Sequence, residues 1–388
     1  MSWKKVQLAD FLVDGGIDIQ TGPFGTQLKA SDYTPEGTPV INVRNIGYGD
    51  LRPEKLEFVP DQVALRLEKH LLEAKDIVFG RKGAVDRHFF VRETETRWMQ
   101  GSDCIRLRVF TDEISPAFLS YALRLPNHKQ WMITQCSNKA TMASLNQDVI
   151  GRISINLPGR GTQFDVVSIL STYDDMIQNN RRRIQLLEQA AQLLYKEWFV
   201  YLRFPGHEHV RVVDRVPKGW EKRQLGDLLT LQRGFDLPTT DRRDGIFPVY
   251  ASTGINGYHA EAKVKGPGVV TGRSGSLGKV MFVSGDFWPL NTTLWVKEFK
   301  RVGPHFANHL LSNMQLEQHN GGAAVPTLNR NDVQRIEVLC PPPLLLQLFE
   351  SHANKSACQI DLLKNMITKA ENARDILLPR LMNGEIAV

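Results

Sequence analysis

The residues that could do chemistry are few, and each is short of a working set. Gly272-Arg273-Ser274-Gly275-Ser276-Leu277-Gly278-Lys279-Val280 ends in Gly-Lys, the pair a phosphate-binding loop offers to a nucleotide. That loop needs a glycine five residues before the last Gly and a hydroxyl after the lysine; Arg273 and Val280 stand there instead. His305 and His309 have the i, i+4 spacing of zinc ligands on a helix, but Phe306 occupies the place of the glutamate base. His207-Glu208-His209 adjoins Pro205-Gly206 and reads as a solvated linker. Cys340-Pro341-Pro342-Pro343-Leu344 is not the Asn/Asp-Pro-Pro-aromatic clamp that amino-group methylation of a base requires. The four cysteines, Cys104, Cys136, Cys340 and Cys358, form no C-x-x-C pair, which argues against structural zinc and for a reducing compartment. No catalytic set and no metal site is expected in this chain, which leaves binding.

Binding candidates gather around glycine. Gly80-Arg81-Lys82-Gly83 and Gly272-Arg273-Ser274-Gly275 each follow a short β-branched run and read as strand then turn. Such a turn could cradle a phosphate or aim arginine at a guanine edge, and it serves a plain hairpin equally well. Lys29, Arg44, Asn45, Lys139, Arg233, Arg242, Arg243 and Lys279 are further candidates for polyanion contact, although most surface Lys and Arg are simply solvated. Tyr258-His259 in a Gly-rich stretch offers stacking, or else caps the core. Arg181-Arg182-Arg183 reads as the solvated face of a helix.

These candidates recur because the chain repeats itself. Trp3-Lys4-Lys5-Val6-Gln7-Leu8-Ala9-Asp10 is answered by Trp220-Glu221-Lys222-Arg223-Gln224-Leu225-Gly226-Asp227, and Leu145-Asn146-Gln147-Asp148 by Leu328-Asn329-Arg330-Asn331. Pro158 and Pro341 close the copies, and a long helix follows each. The first is predicted from about Gln163 to Leu202, with a seam of Leu170, Tyr173, Ile177, Asn180, Ile184, Leu187, Ala191, Leu194 and Trp198. The second is predicted from about Leu344 to Leu378, with Phe349, Ala353, Ser356, Ile360, Leu363, Ile367, Ala370, Arg374 and Leu377. Pro379 is expected to kink or end it. Alternating steps of three and four average 3.5 residues, the period that keeps one stripe facing a partner helix. Asn180, Ser356 and Arg374 interrupt the seam; polar residues there lower stability and favour one register. Leu194, Tyr195, Trp198 and Phe199 at the end of the first helix could dock a partner subunit or pack on the second domain.

The expected architecture is α+β: two similar domains of mixed β-sheet with short helices, at residues 1–158 and 205–343, and two spacer helices, at 159–204 and 344–388, paired as a long antiparallel coiled coil. At about 1.5 Å per residue, helices of roughly 35 to 40 residues make a strut of about 50 to 60 Å. A strut with two related but non-identical ends is suited to reading two short words of duplex DNA at a fixed separation. A structural adaptor whose terminal domains bind proteins has the same outline.

Leu170-Ser171-Thr172-Tyr173-Asp174-Asp175-Met176-Ile177, followed by Leu193-Leu194-Tyr195-Lys196-Glu197-Trp198-Phe199, resembles the first conserved helical region of type I restriction-modification specificity subunits. Leu378-Pro379-Arg380-Leu381-Met382-Asn383-Gly384-Glu385-Ile386 is similar to the end of the second, and Thr21-Gly22-Pro23-Phe24-Gly25-Thr26-Gln27-Leu28 to the opening of many target-recognition domains. In the second copy Gly234-Phe235-Asp236-Leu237-Pro238 departs from that signature. The resemblance implies two target-recognition domains, double-stranded DNA as ligand, two methyltransferase subunits and motor-nuclease subunits as partners, and a role in host defence. It implies no cofactor in this chain, with S-adenosylmethionine, ATP and Mg on those partners.

The composition is compatible with that reading without deciding it. A formal net charge of +6 over 388 residues, 42% of them hydrophobic, suits a folded chain with a polyanionic partner. Met1 to Asp10 lacks the apolar core of a signal peptide, and a cytoplasmic protein is expected.

Overall fold

The computed structural model describes residues 3–136, 143–321 and 326–388. The chain divides into two units, Met1–Gln178 with Thr368–Val388, and Asn179–Ile367, so each long helix begins in one unit and ends in the other. The sheet-rich parts of the two units repeat one plan.

In the first unit the strand Lys4–Gln7 pairs antiparallel with Ser154–Leu157, tying the start of the domain to the strand that leads into the first long helix. A five-stranded sheet runs in the order Ile17–Thr21, Cys104–Val109, Ile77–Gly80, His88–Phe90, Tyr48–Gly49. Ile77–Gly80 is its central strand and is buried along its whole length, which is why that run is apolar without alternation. A three-stranded sheet sets Thr38–Ile41 between an antiparallel Glu57–Val59 and a parallel Met99–Gln100.

The second unit follows the same steps. Glu221–Gln224 pairs with Glu337–Cys340; a four-stranded sheet runs Leu229–Arg233, Thr293–Phe299, Gly268–Gly272, Val280–Val283; and Phe247–Ala251 lies between antiparallel Gly254–His259 and parallel Trp288–Pro289. Each unit has its own main core, one around Ile77, Phe79, Leu107 and Phe118, the other around Leu231, Val269, Val296 and Phe306.

The first long helix spans Arg160–Tyr195 and closes with a π-helical turn, Lys196–Val200; the second spans Pro343–Met382 and runs through Pro379, which neither ends it nor precedes its last turn. The seam residues are its shielded stripe: Leu170, Ile177, Phe349 and Leu363 are buried, and Tyr173, Ile184, Leu187, Ile360, Ile367 and Leu377 are partly buried. Inside the first unit, Val166 and Leu170 share a core with Leu378, Leu381 and Met382, so the start of one helix packs beside the end of the other. Inside the second unit Tyr195 and Trp198 meet Phe349, with ring centroids 6.0 and 6.2 Å apart. The pair is antiparallel in both places. Gly384 lies beside Trp3: a Cβ on it would stand 3.4 Å from the ring.

One expectation is corrected here. Tyr195, Trp198 and Phe199 are buried and Leu194 packs against them, in the core of the second unit rather than on a docking surface. Phe199 alone has ring neighbours at 4.9 Å (Phe306), 5.1 Å (Phe349), 5.3 Å (Tyr195) and 6.0 Å (Trp220). The π-helical turn aims these large rings inward, and burial outweighs any gain from leaving them wet.

His88 is expected to make the first unit sensitive to acid. It is buried, its Nε2 lies 2.9 Å from Ser120 Oγ, and burial, with Arg124 and Lys129 nearby, lowers its pKa to about 3. An imidazole kept neutral in the fold but free to protonate when unfolded stabilises fully above the unfolded pKa of about 6.5, and loses that contribution as pH falls from there toward the folded value. Between pH 6.5 and 5 the loss from His88 is about 2 kcal/mol. The urea midpoint is expected to drop over this range, and a His88→Gln variant to show a flatter profile. An equally steep profile in the variant would place the pH dependence elsewhere.

Candidate nucleic-acid interface

The two Gly-basic segments occupy equivalent places and are held by equivalent bonds. The Arg81 N–H donates to the Asp103 carbonyl (2.8 Å) and the Arg81 carbonyl accepts from Leu145 N–H (2.8 Å); the Arg273 N–H donates to the Thr292 carbonyl (2.9 Å) and the Arg273 carbonyl accepts from Leu328 N–H (2.8 Å). Lys82 bridges to Ser144 as Ser274 does to Thr327. The N–H groups of Gly83 and Gly275 donate to the carbonyls of Ala143 and Pro326. The backbone donors of Arg81, Gly83, Arg273, Ser274 and Gly275 are therefore spent inside the fold and cannot cradle a phosphate. What these turns offer a polyanion is their side chains.

The glycines are steric requirements of the turn. Gly83 and Gly275 have φ of +75° and +85°, and a Cβ on Gly272 would lie 1.8 Å from the Ser276 carbonyl oxygen. The opening signature works alike: a Cβ on Gly22 would meet the Gly101 carbonyl oxygen at 2.0 Å, and one on Gly234 the Leu290 carbonyl oxygen at 2.2 Å. Gly22 and Gly234 are thus counterparts, although the residues after them differ. A Gly22→Ala substitution is expected to cost about 1–3 kcal/mol, the usual penalty of overpacking, while Gly25→Ala, with nothing within 4 Å, stays near neutral. Thermal melts of the two variants check this; equal melting temperatures would contradict it.

In the second unit the structure gathers several sequence candidates around the hairpin Phe247–Ala251/Gly254–His259. Arg242 Nη1 donates to the carbonyl and Oδ1 oxygens of Asn256 (2.5 and 2.9 Å), and Lys279 Nζ donates to the Thr253 carbonyl (2.6 Å). Arg243 pairs with Glu261 at 2.5 Å, both well exposed. Ser252 connects this hairpin to the Gly272–Gly275 turn, since a Cβ on Gly272 would lie 3.3 Å from Ser252 Cβ. Tyr258 is 55% exposed on the hairpin, and Ile255, which sequence reasoning passed over, is 54% exposed beside it. The signal for Ile255 was the run Gly254-Ile255-Asn256-Gly257-Tyr258, a strand too rich in glycine to bury its large residues. His259 does not belong to this face: it is buried, its Nδ1 accepts from the Arg243 N–H (3.0 Å), and its ring stands edge-on to Trp288. Arg233 is exposed at the end of the strand Leu229–Arg233.

In the first unit Val43 stands where Ser252 does, and Arg44 follows it. Arg44 reaches Glu57 at 2.5 Å, and Val43 beside it faces Gly80, its Cγ1 3.3 Å from where a Cβ would stand. Lys82 pairs with Asp103 at 3.0 Å, half exposed. Surface pairs such as these are worth at most about 1 kcal/mol, so the cations are readily exchanged to a stronger anion. Asn45 is corrected. It is fully buried, its Nδ2 donates to the carbonyls of Arg52 (2.9 Å) and Glu54 (3.2 Å), and its Oδ1 accepts from the Asn42 N–H (3.1 Å), so it shapes the loop and presents nothing to solvent. Lys29 is exposed on a separate loop, where its N–H donates to Asp32 Oδ2 (2.9 Å); Phe24, 63% exposed in the same opening segment, was not among the candidates. Lys139 lies outside the described residues. Among the described residues no group of His, Cys, Asp or Glu is placed to hold a metal ion, and no helix is long and apolar enough to cross a membrane.

Residues 2–189 and 217–344, most of both units, match the family described as type I restriction modification DNA specificity domain. The chain belongs to this family. Relatives within the DNA specificity family include the type I restriction enzyme MjaIX specificity subunit of Methanocaldococcus jannaschii, 24% identical over 71% of this chain and 70% of that one. The type I restriction enzyme HindI specificity subunit of Haemophilus influenzae is 21% identical over 82% of this chain and 88% of its own length. The fold is similar to that of the S subunit of a type I restriction-modification system from M. genitalium, with a TM-score of 0.59 at 15% identity, over 98% of this chain and 96% of the other.

Proposed function

We propose that the protein is the DNA sequence-specificity subunit of a type I restriction-modification complex. Each unit reads one half of an asymmetric, two-part site, and the antiparallel helix pair sets the unread spacer between the halves. The observation that carries this is the duplicated unit, with equivalent Gly-basic turns supported by the same hydrogen bonds, joined by two helices that are continuous from one unit into the other. On this reading Arg81, Lys82, Arg44, Arg242, Arg273, Ser274, Lys279 and Tyr258 are the side chains that meet DNA. Methylation and cleavage fall to partner methyltransferase and motor-nuclease subunits, which carry S-adenosylmethionine, ATP and Mg. Membership of the DNA specificity family favours this reading over a protein-binding adaptor.

Phosphate contacts make affinity fall with salt, with a slope of about −0.9 per phosphate neutralised. Affinity for duplex DNA carrying both half-sites is expected to fall steeply with salt, and an Arg81→Ala or Lys279→Ala variant to lose about one from that slope if the side chain meets phosphate. Fluorescence anisotropy across a salt series measures this. Binding that ignores salt would refute the DNA reading.

A further inference from the structure

Arg374 interrupts the apolar seam of the second long helix, and the structure gives it a partner. Its Nη1 donates to Asp174 Oδ1 on the first long helix at 2.7 Å. The other oxygen, Oδ2, accepts from Arg124 Nη1 at 2.8 Å and from the Tyr121 hydroxyl at 2.9 Å, both supplied by the helix Pro116–Leu123 and the residue after it. The Arg124 guanidinium lies 4.4 Å from the Tyr121 ring centroid. All four residues belong to the first unit, and Asp174 is buried. Burial alone would raise the Asp174 carboxyl, but Arg124 and Arg374 outweigh it and hold it below the usual carboxylate range.

The matching positions of the second unit carry other residues. Counting from Pro116 and Pro304, which open the equivalent helices, Tyr121 and Arg124 correspond to His309 and Ser312. Counting from Pro158 and Pro341, Asp174 corresponds to Ala357 and Arg374 to Ala191. These four smaller residues line a cavity of about 390 Å³. Where the first unit places a charged cluster, the second has this open pocket, whose lining also includes Glu188, Lys196, Asp361 and Lys364.

We propose that Asp174 and Arg374 are the register lock of the helix pair, and that by fixing which turn of one helix faces which turn of the other they determine the spacer length the protein accepts. A slip of one heptad moves facing positions by about 10 Å. Asp174 would then lose one of its partners, and Arg374 would keep only Asp375, its exposed neighbour on the same helix, to which its Nε and Nη2 donate at 3.0 and 2.8 Å. Removing one member of a buried charged set costs far more than the set gains over apolar packing, so its effect is selective: it penalises every wrong alignment. Apolar seam residues do not discriminate so sharply, because Leu and Ile meet equivalent neighbours one heptad along. With alanine at the matching positions, the second unit has no counterpart of the Asp174–Arg374 pair there.

The inference rests on the reading of the helix pair as a ruler, and the test separates the two. The full-length protein is titrated with duplexes carrying both half-sites at the native spacing and at about three base pairs more or less, the change that a slip of about 10 Å would accommodate at about 3.4 Å per base pair. Wild type is expected to prefer one spacing. Arg374→Met keeps an unbranched side chain in the seam and leaves Asp174 with Arg124 and Tyr121, so the unit stays folded. It is expected to lower the preference for the native spacing by about tenfold, with both half-site sequences unchanged. Arg374→Lys, which keeps the charge, is expected to restore most of the preference, and Asp174→Asn to lose it as Arg374→Met does. A folded Arg374→Met protein with wild-type spacing preference would overturn the lock while leaving the ruler standing. A wild-type protein that binds all spacings alike would overturn the ruler and the lock with it.

Discussion

Exchanging residues 1–158 for the equivalent domain of another family member is expected to change one half of the recognised sequence and leave the other half as it was. A wrong half-site of a few base pairs, at about 1–3 kcal/mol each, costs at least a hundredfold in affinity, so the switch is unmistakable. The junction cuts through the first unit. Val166, Leu170, Leu378 and Leu381, which share its core, stay behind with Asp174. The incoming domain must therefore bring apolar residues to meet them and a Tyr and an Arg where Tyr121 and Arg124 stand. Selection of bound sequences from a random library reports the outcome, and a change in both halves would show that the units do not read independently.

Phe199→Ala is expected to cost about 3–5 kcal/mol, the usual penalty for emptying an aromatic from a well-packed core. Because a domain's whole stability is about 5–15 kcal/mol, the second unit should melt well below its wild-type temperature. Calorimetry of the variant checks this. Normal melting combined with weakened assembly on the methyltransferase partner would return Phe199 to the docking surface that its sequence position first suggested.

Much of the architecture was legible because it is periodic. The seam residues could be picked by counting threes and fours, and the repeat by matching Trp3 to Trp220 and Leu145 to Leu328; both are local patterns that burial preserves. Individual roles were harder, since a residue type does not disclose which way its side chain faces. Asn45 and His259 look like base-reading groups in sequence, yet both are turned inward to satisfy backbone groups of their own loops. The Gly-basic turns suggested a backbone cradle, and only the pairing of Arg81 with Asp103 and Leu145, residues distant in sequence, shows that those donors are taken. Arg374 read as a flaw in the seam. Its partner Asp174, 200 residues away in the chain, turns the flaw into a contact.

The central claim is that two related heads read two words at one fixed distance, and sequencing the methylated bases of a host with and without this gene tests it most directly. The account predicts that the gene's presence adds methylation at an asymmetric motif of two short specified blocks separated by an unspecified gap of constant length. A single uninterrupted motif, or two blocks at varying separation, would contradict it.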